Sequence, residues 1–143
     1  MRLRAITRRE ASIFAAAADA LLAPEPELPP VRETAAAAGF DEWLFRSPPL
    51  NRLGLRAGLH LLELAPLARH GRRFRALEPE RRRAFLAPAG GRRSVWVATV
   101  VDMLRMLAAA SYYGDDAVAG RLGYDADARV ARGRELRVAE GRP

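Results

Sequence analysis

The chain has 143 residues, half of them apolar, which is enough for one domain with a single hydrophobic core. It contains no cysteine, which excludes disulfides, thiolate metal sites and cysteine nucleophiles. The net charge is +7 and all 24 residues of the Lys+Arg count are arginines, which pair with nucleic-acid phosphates and with carboxylates of acidic proteins alike.

The first predicted helix runs from about Arg8 to Leu22. Thr7 is the predicted N-cap, and Glu10 completes a capping box. The apolar stripe predicted for this helix consists of Ile13, Phe14, Ala17, Ala18, Leu21 and Leu22. Four prolines between positions 24 and 30 then predict a stiff, extended connector.

A second helix is predicted to begin near Pro30 and to continue through a run of four alanines. Gly39 is expected to bend or break it. The aromatic face that follows consists of Phe40, Trp43, Leu44 and Phe45. Trp43 and Phe45 have two possible roles, packing in the core or contact with a partner.

A third helix is predicted from Pro49 to about Leu64, or as far as His70, with Pro66 ending or kinking it. The stripe predicted to face the core consists of Leu50, Leu53, Ala57, Leu61 and Leu64. Further leucines are predicted to widen this face: Leu55, Leu59 and Leu62. Gly54 and Gly58 are four residues apart, which predicts the close approach of another helix.

The segment from Arg69 to Arg83 contains seven arginines and two glutamates. With Phe74 and Phe85 interleaved, it supports an alternative function in nucleic-acid binding. A charge run is more often a solvated face, and no helix-turn-helix glycine turn stands where one is needed. Nucleic acid is therefore the less favoured partner.

A long apolar helix is predicted from Arg92 to Tyr113, after a loop at 88–91, with Trp96 favoured as a core residue. It is apolar around most of its circumference, which predicts a place at the centre of a bundle. Asp102 and Arg105 interrupt it, so no membrane span is predicted.

The predicted fold is all-α: a compact single-domain bundle of about five to six helices with a central apolar helix. Residues 1–127 are assigned to this helical domain. Residues 128–143 are assigned to a basic C-terminal tail, which is either a marginally stable helix or a flexible arm.

No catalytic, cofactor-binding or metal-binding residue is predicted. The chain has no lysine for a P-loop and lacks the strands of a dinucleotide-binding fold. His60 and His70 do not have a metal-ligand spacing. Asp115 and Asp116 follow Gly114 directly, which favours a turn or helix cap over acid–base chemistry.

All three tyrosines lie close together, at Tyr112, Tyr113 and Tyr124. Gly114 is predicted to end the long helix in a left-handed conformation. A glycine stop does not require the aromatic residues around it. They predict either a packed corner or a surface for a partner.

Three segments of the chain resemble the gluconate 2-dehydrogenase subunit 3 family. Tyr112-Tyr113-Gly114-Asp115, followed by Leu122-Gly123-Tyr124, resembles its C-terminal signature. The first helix resembles its opening helix, with an Ala-Asp-Ala step around Asp19 and a closing proline at Pro24. Phe74-Arg75-Ala76-Leu77, followed by the segment from Arg81 to Leu86, resembles its short middle helix. The likeness extends from about Thr7 to Tyr124.

The resemblance implies a noncatalytic small subunit in a stable complex with a large FAD-dependent oxidoreductase of the glucose-methanol-choline type. FAD is expected in that flavoprotein partner, and no cofactor is expected in this chain. The contact residues expected first are Tyr112, Tyr113, Asp115 and Tyr124, and then Trp43 and Phe45. A scaffold that assists folding of the partner is a related possibility.

Some members of that family carry a twin-arginine export signal. Here Arg8 and Arg9 are followed by Glu10, and Asp19 interrupts the apolar stretch. A signal peptide needs an uninterrupted apolar region and a cleavage site of small residues. A retained helix and a cytoplasmic location are therefore expected, with export by a partner left open.

Overall fold

The computed structural model describes residues 3–87, 95–124 and 126–139. These residues form α-helices and two 3₁₀ turns, and no strand occurs among them. The helices are α1 Arg8–Leu22, α2 Ala36–Arg46, α3 Pro49–Leu64, α4 Leu67–His70, α5 Pro79–Leu86, α6 Val95–Tyr113, α7 Asp116–Arg121 and α8 Ala126–Ala139. The predicted all-α class is confirmed, and the short helices α4 and α7 bring the count above the expected five to six.

Helix α1 holds the central position in the fold. It packs against α2, α3, α5 and α6. The predicted capping box is present, since Thr7 Oγ1 accepts from the Glu10 backbone N–H and Glu10 accepts from the Thr7 N–H. Phe14 is buried and stacks on Phe40 of α2 with ring centroids 4.1 Å apart. The predicted start and end of this helix are confirmed.

Helix α6 is not the central helix that its composition predicts. Val101, Leu104 and Leu107 are buried, but Met103 and Met106 on the opposite side are exposed. α6 packs mainly against α1 and α2, and it also contacts α7. The predicted loop at 88–91 and the side chain of Trp96 lie outside the described residues.

The N-terminal segment is fastened to α2 by one buried carboxylate. Asp41 accepts backbone hydrogen bonds of 2.9 Å from Arg4, Ala5 and Ile6. These N–H groups precede α1 and have no helical partner of their own. Asp41 therefore fixes the direction from which the chain enters the central helix.

The second helix begins later than predicted, and Gly39 does not break it. Residues Val31–Glu33 form a 3₁₀ turn, and α2 begins at Ala36. A Cβ at Gly39 would lie 3.3 Å from the Cβ of Ser111 on α6. The glycine therefore allows the two helices to approach closely.

Helix α3 spans Pro49–Leu64, and Leu55, Leu59 and Leu62 are buried as predicted, but the main predicted stripe faces outward. Its buried residues are Leu55, Gly58, Leu59, Leu62 and Glu63. The predicted core stripe that begins at Leu50 is instead exposed. Gly58 makes the predicted close approach, because a Cβ there would lie 3.3 Å from Val100 of α6, whereas a Cβ at Gly54 would meet nothing within 4 Å.

The C-terminal segment forms a helix where the sequence left helix and flexible arm open. α8 spans Ala126–Ala139 and so crosses the boundary assigned between residues 127 and 128. Its described side chains are mostly exposed, Val130 among them. Within the described ranges, no helix is both long enough and apolar enough to cross a membrane.

Candidate partner interface

Glu10 is the carboxyl group of the described residues whose pKa departs most from its ordinary value, and it lies inside the fold. Arg56 Nε donates to its carboxylate at 2.8 Å, and His60 Nε2 lies 3.1 Å from the same oxygen. Burial would raise the pKa of Glu10, but hydrogen bonds from Arg56 and Thr7 outweigh it and lower the pKa to about 2. The group is fully buried and permanently ionised at neutral pH, so it joins α1 to α3 rather than exchanging protons with a substrate.

A second buried acid joins α3 to the segment before α5. Glu63 accepts from the backbone N–H of Arg75 at 3.3 Å and from its guanidinium Nε at 3.0 Å. Arg75 also donates to Ser12 of α1. Farther along, Arg82 donates to the carbonyl of Leu77. Part of the arginine-rich segment therefore stabilises the fold, and only the remainder is a free basic surface.

The described residues contain no group of three or more His, Asp or Glu side chains that could hold a metal ion. An open cleft of about 470 Å³ lies between α2 and the start of α3, lined in part by Trp43, Glu42, Ser47 and Asn51. Glu42 is paired with Arg46, and the Ser47 hydroxyl donates to the Trp43 carbonyl. The cleft therefore presents few unpaired polar groups for chemistry.

Tyr112 is an internal residue and not the surface contact that the sequence predicts. It is 0% exposed, and its hydroxyl donates to the carbonyl of Pro29 at 2.7 Å. Burial raises its pKa, which keeps the hydroxyl protonated as a donor. Its role is to hold the proline-rich connector against the end of α6, because a buried tyrosine hydroxyl needs a polar partner.

Asp115 has the predicted capping role and a second, long-range one. One carboxylate oxygen accepts from Ala117 and Val118 at the start of α7, and the other accepts from Ala35 at 2.7 Å. Arg121 of α7 donates to the carbonyl of Glu27 at 2.7 Å. Both side chains are thus engaged with backbone of the same molecule.

Gly114 does not have the left-handed conformation that the sequence predicts for it, and Gly123 has that conformation instead. Gly114 does not have a positive φ; a Cβ there would lie 2.8 Å from the carbonyl oxygen of Ala110. The left-handed residue is Gly123, with φ +68. Gly123 and Tyr124 donate backbone hydrogen bonds to Gly120 and Ala119, which is the Schellman arrangement that closes α7.

Tyr113 and Tyr124 are exposed, at 45% and 53%, as a partner contact requires. Leu122 between them in the chain is 53% exposed. Tyr113 packs edge-on against the buried Tyr112, with ring centroids 5.1 Å apart. The tyrosine corner therefore has an internal half that stabilises the fold and an external half that is available to a partner.

Trp43 and Phe45 are both 41% exposed. Trp43 lines the open cleft at the start of α3. The ring of Phe45 is covered by the guanidinium of Arg4, 4.7 Å from its centroid, with Arg52 at 5.9 Å. Of the two, Trp43 is the more available for contact, because cations already occupy the Phe45 ring.

A set of exposed apolar residues runs along α3, and we call it the leucine stripe. Its exposed leucines are Leu50 at 78%, Leu53 at 67%, Leu61 at 69% and Leu64 at 47%. Ala57 lies between them and is also exposed. Single exposed leucines are ordinary, but a continuous row marks an interaction surface.

Sequence reasoning named these residues but assigned them to the core. The helix is apolar on two opposite faces, so periodicity alone does not say which face is buried. The decisive contacts are the long-range pairs Glu10–Arg56 and Glu63–Arg75, which turn the other face inward. A pairing between residues 46 positions apart leaves no signal in a single sequence.

Comparison of the chain with protein-family models, with curated proteins and with solved structures finds no match.

Proposed function

We propose that this chain is a noncatalytic accessory subunit that binds and stabilises a large FAD-dependent alcohol or sugar oxidoreductase. FAD is bound by the partner, and this chain contributes a docking surface and no cofactor. The observation that carries the proposal is the row of exposed leucines on α3. An apolar row of this kind is costly to leave in water and is typical of a subunit that is covered in its complex.

The resemblance of the tyrosine corner to the gluconate 2-dehydrogenase subunit 3 family supplies the class of partner. Tyr113 and Tyr124 keep half of their surface exposed, and the Trp43 cleft adds a further aromatic contact. These surfaces lie on α2, α6 and the end of α7. A large partner can contact several of them at once.

The test is co-expression of the tagged chain with an adjacent reading frame that encodes a dinucleotide-binding fingerprint. We expect both polypeptides to co-elute in size-exclusion chromatography as a complex with the visible absorption spectrum of a flavin. A chain that elutes alone beside a folded flavoprotein contradicts the proposal. So does a purified chain that holds a stoichiometric prosthetic group or oxidises a substrate alone.

Nucleic-acid binding is the alternative that the exposed arginines Arg69, Arg72 and Arg73 favour. Binding based on phosphate contacts weakens steeply with salt. Retention of DNA by the purified chain at about 0.3 M salt, beyond what a nonspecific basic surface allows, would support this alternative.

A further inference from the structure

The leucine stripe lies directly opposite the buried face of α3 and has the spacing of a helix-pairing surface. Successive members from Leu50 to Leu64 are 3, 4, 4 and 3 residues apart. The mean step of about 3.5 residues is that of the apolar seam in a coiled coil. At about 1.5 Å per residue the stripe is about 21 Å long. These dimensions fit a partner helix of about four turns lying along α3.

The middle of the stripe has space for a close approach. Ala57 lies between Leu53 and Leu61, and Gly54 lies beside it on the helix surface. A Cβ at Gly54 would meet nothing within 4 Å. Glycine destabilises a helix interior relative to alanine, and no close contact within the described residues accounts for it here. A partner helix that packs over Gly54 and Ala57 would fill this space.

One edge of the stripe is basic. Arg52, Arg56 and His60 form an i, i+4 row along this edge. Arg52 donates to two backbone carbonyls, and its Nε is buried without an acceptor among the described residues. Arg56 binds Glu10 but keeps 42% of its side chain exposed. The exposed part of the Arg56 side chain therefore borders any molecule that covers the stripe.

The acidic group that contacts this edge is the buried Glu10 carboxylate, which binds Arg56 and His60 from inside the fold. Glu63 is the one acidic residue of α3, and it is buried against Arg75. Beyond the end of α3, Arg69 and Arg72 are exposed. A second copy of the chain would bring another molecule of net charge +7 against this surface. Like charges across an interface oppose association, whereas acidic groups complement it.

We propose that the leucine stripe binds an amphipathic helix of a partner protein, and that acidic residues flank the apolar face of that helix. The identification of that partner as the large flavoprotein subunit rests on the proposed function. The surface itself and the chemistry of its occupant follow from α3 alone.

The first test uses two labelled synthetic peptides with leucine at heptad positions a and d. One has glutamate at positions e and g, and the other has lysine there. Fluorescence anisotropy at about 0.15 M salt should show binding of the glutamate peptide and at least about tenfold weaker binding of the lysine peptide. Equal binding of both, or of neither, overturns the proposal.

A double variant locates the surface. Leu53→Gln/Leu61→Gln removes two exposed leucines and should weaken binding of the glutamate peptide at least about 100-fold. Val130→Gln, at an exposed apolar residue of α8 outside the proposed surfaces, is the control and should bind like the unmodified chain. Both variants should keep the melting temperature of the unmodified chain, because they replace exposed side chains. Unchanged peptide binding by the double variant overturns the proposal.

The same variants in the co-expressed complex separate this inference from the proposed function. Loss of the flavoprotein from the double variant but not from Val130→Gln supports both. A flavoprotein that still co-elutes with the double variant overturns this inference and leaves the proposed function standing. Peptide binding without any flavoprotein partner overturns the proposed function alone. The chain could also form a dimer that the double variant abolishes. In that case a second copy of the chain covers the leucine stripe, and the acidic-helix proposal is overturned.

Discussion

The buried carboxylate of Glu10 gives the sharpest stability prediction. Its pKa of about 2 lies about 2.5 below the ordinary value of 4.5. At about 1.36 kcal/mol for each pKa unit, the ionised form contributes about 3 kcal/mol to folding. Glu10→Gln should therefore lower the free energy of unfolding by about 3 kcal/mol at pH 7, which corresponds to a melting temperature lower by about 10 °C.

The loss should depend on pH in a defined direction. Because folding lowers the pKa, the contribution is complete above about pH 4.5 and disappears as the pH falls through about 2. Urea unfolding of the unmodified chain and of Glu10→Gln should differ by about 3 kcal/mol at pH 7 and by about 1.4 kcal/mol at pH 3. Taking the difference between the two chains cancels the titration of the other carboxylates.

Glu25→Gln is the matched control, since Glu25 is exposed on the connector. It should change the free energy of unfolding by less than about 0.5 kcal/mol at either pH. The stabilising role of the Glu10 carboxylate is refuted if Glu10→Gln lowers the free energy of unfolding by less than about 1 kcal/mol at pH 7. It is also refuted if the decrease is the same at pH 7 and pH 3. The bonds from Arg56 and Thr7 would then not hold an ionised group.

Three further substitutions test the contacts that shape the fold, each by urea unfolding. Asp41→Ala should cost about 2–3 kcal/mol by stranding the backbone N–H groups of residues 4–6, and a neutral result would contradict the anchoring role. Ala23→Gly should stabilise the chain by up to about 1 kcal/mol, because Ala23 closes α1 with φ 43; a loss would show that no strain is stored there. Tyr112→Phe should cost about 1 kcal/mol by leaving the Pro29 carbonyl without its donor, and an unchanged stability would mean that this bond does not hold the connector.

Local signals in the sequence predict the helices well. The capping box at Thr7 and Glu10, and the prolines around α3, act within one turn and fix where α1 and α3 begin. The predicted start of α2 was wrong, because Pro30 precedes a 3₁₀ turn rather than an α-helix. Such boundaries depend on a bond to another element, here from Val31 to Asp19 of α1.

The orientation of the helices was less predictable, because it depends on contacts distant in sequence. The exposed stripe of α3 was assigned to the core, and α6 was assigned to the centre. Tyr112 was expected at the surface, but the connector that covers it lies 83 residues earlier. Tyr113 and Tyr124 are exposed as expected, and their role in a complex stays a prediction. A single sequence records which residues are apolar and not which of them the rest of the chain covers.

The most direct measurement of the central claim is the stability of the proposed flavoprotein partner with and without this chain. FAD release from the large subunit, followed by flavin fluorescence during heating, reports that stability. A chain that binds only the folded partner should raise the release temperature, with a gain of about 2.7 kcal/mol when its concentration is 100 times the dissociation constant. The same preparation of the chain alone should show no flavin fluorescence and no substrate oxidation. An unchanged release temperature at saturating chain, or turnover by the chain alone, would contradict the account.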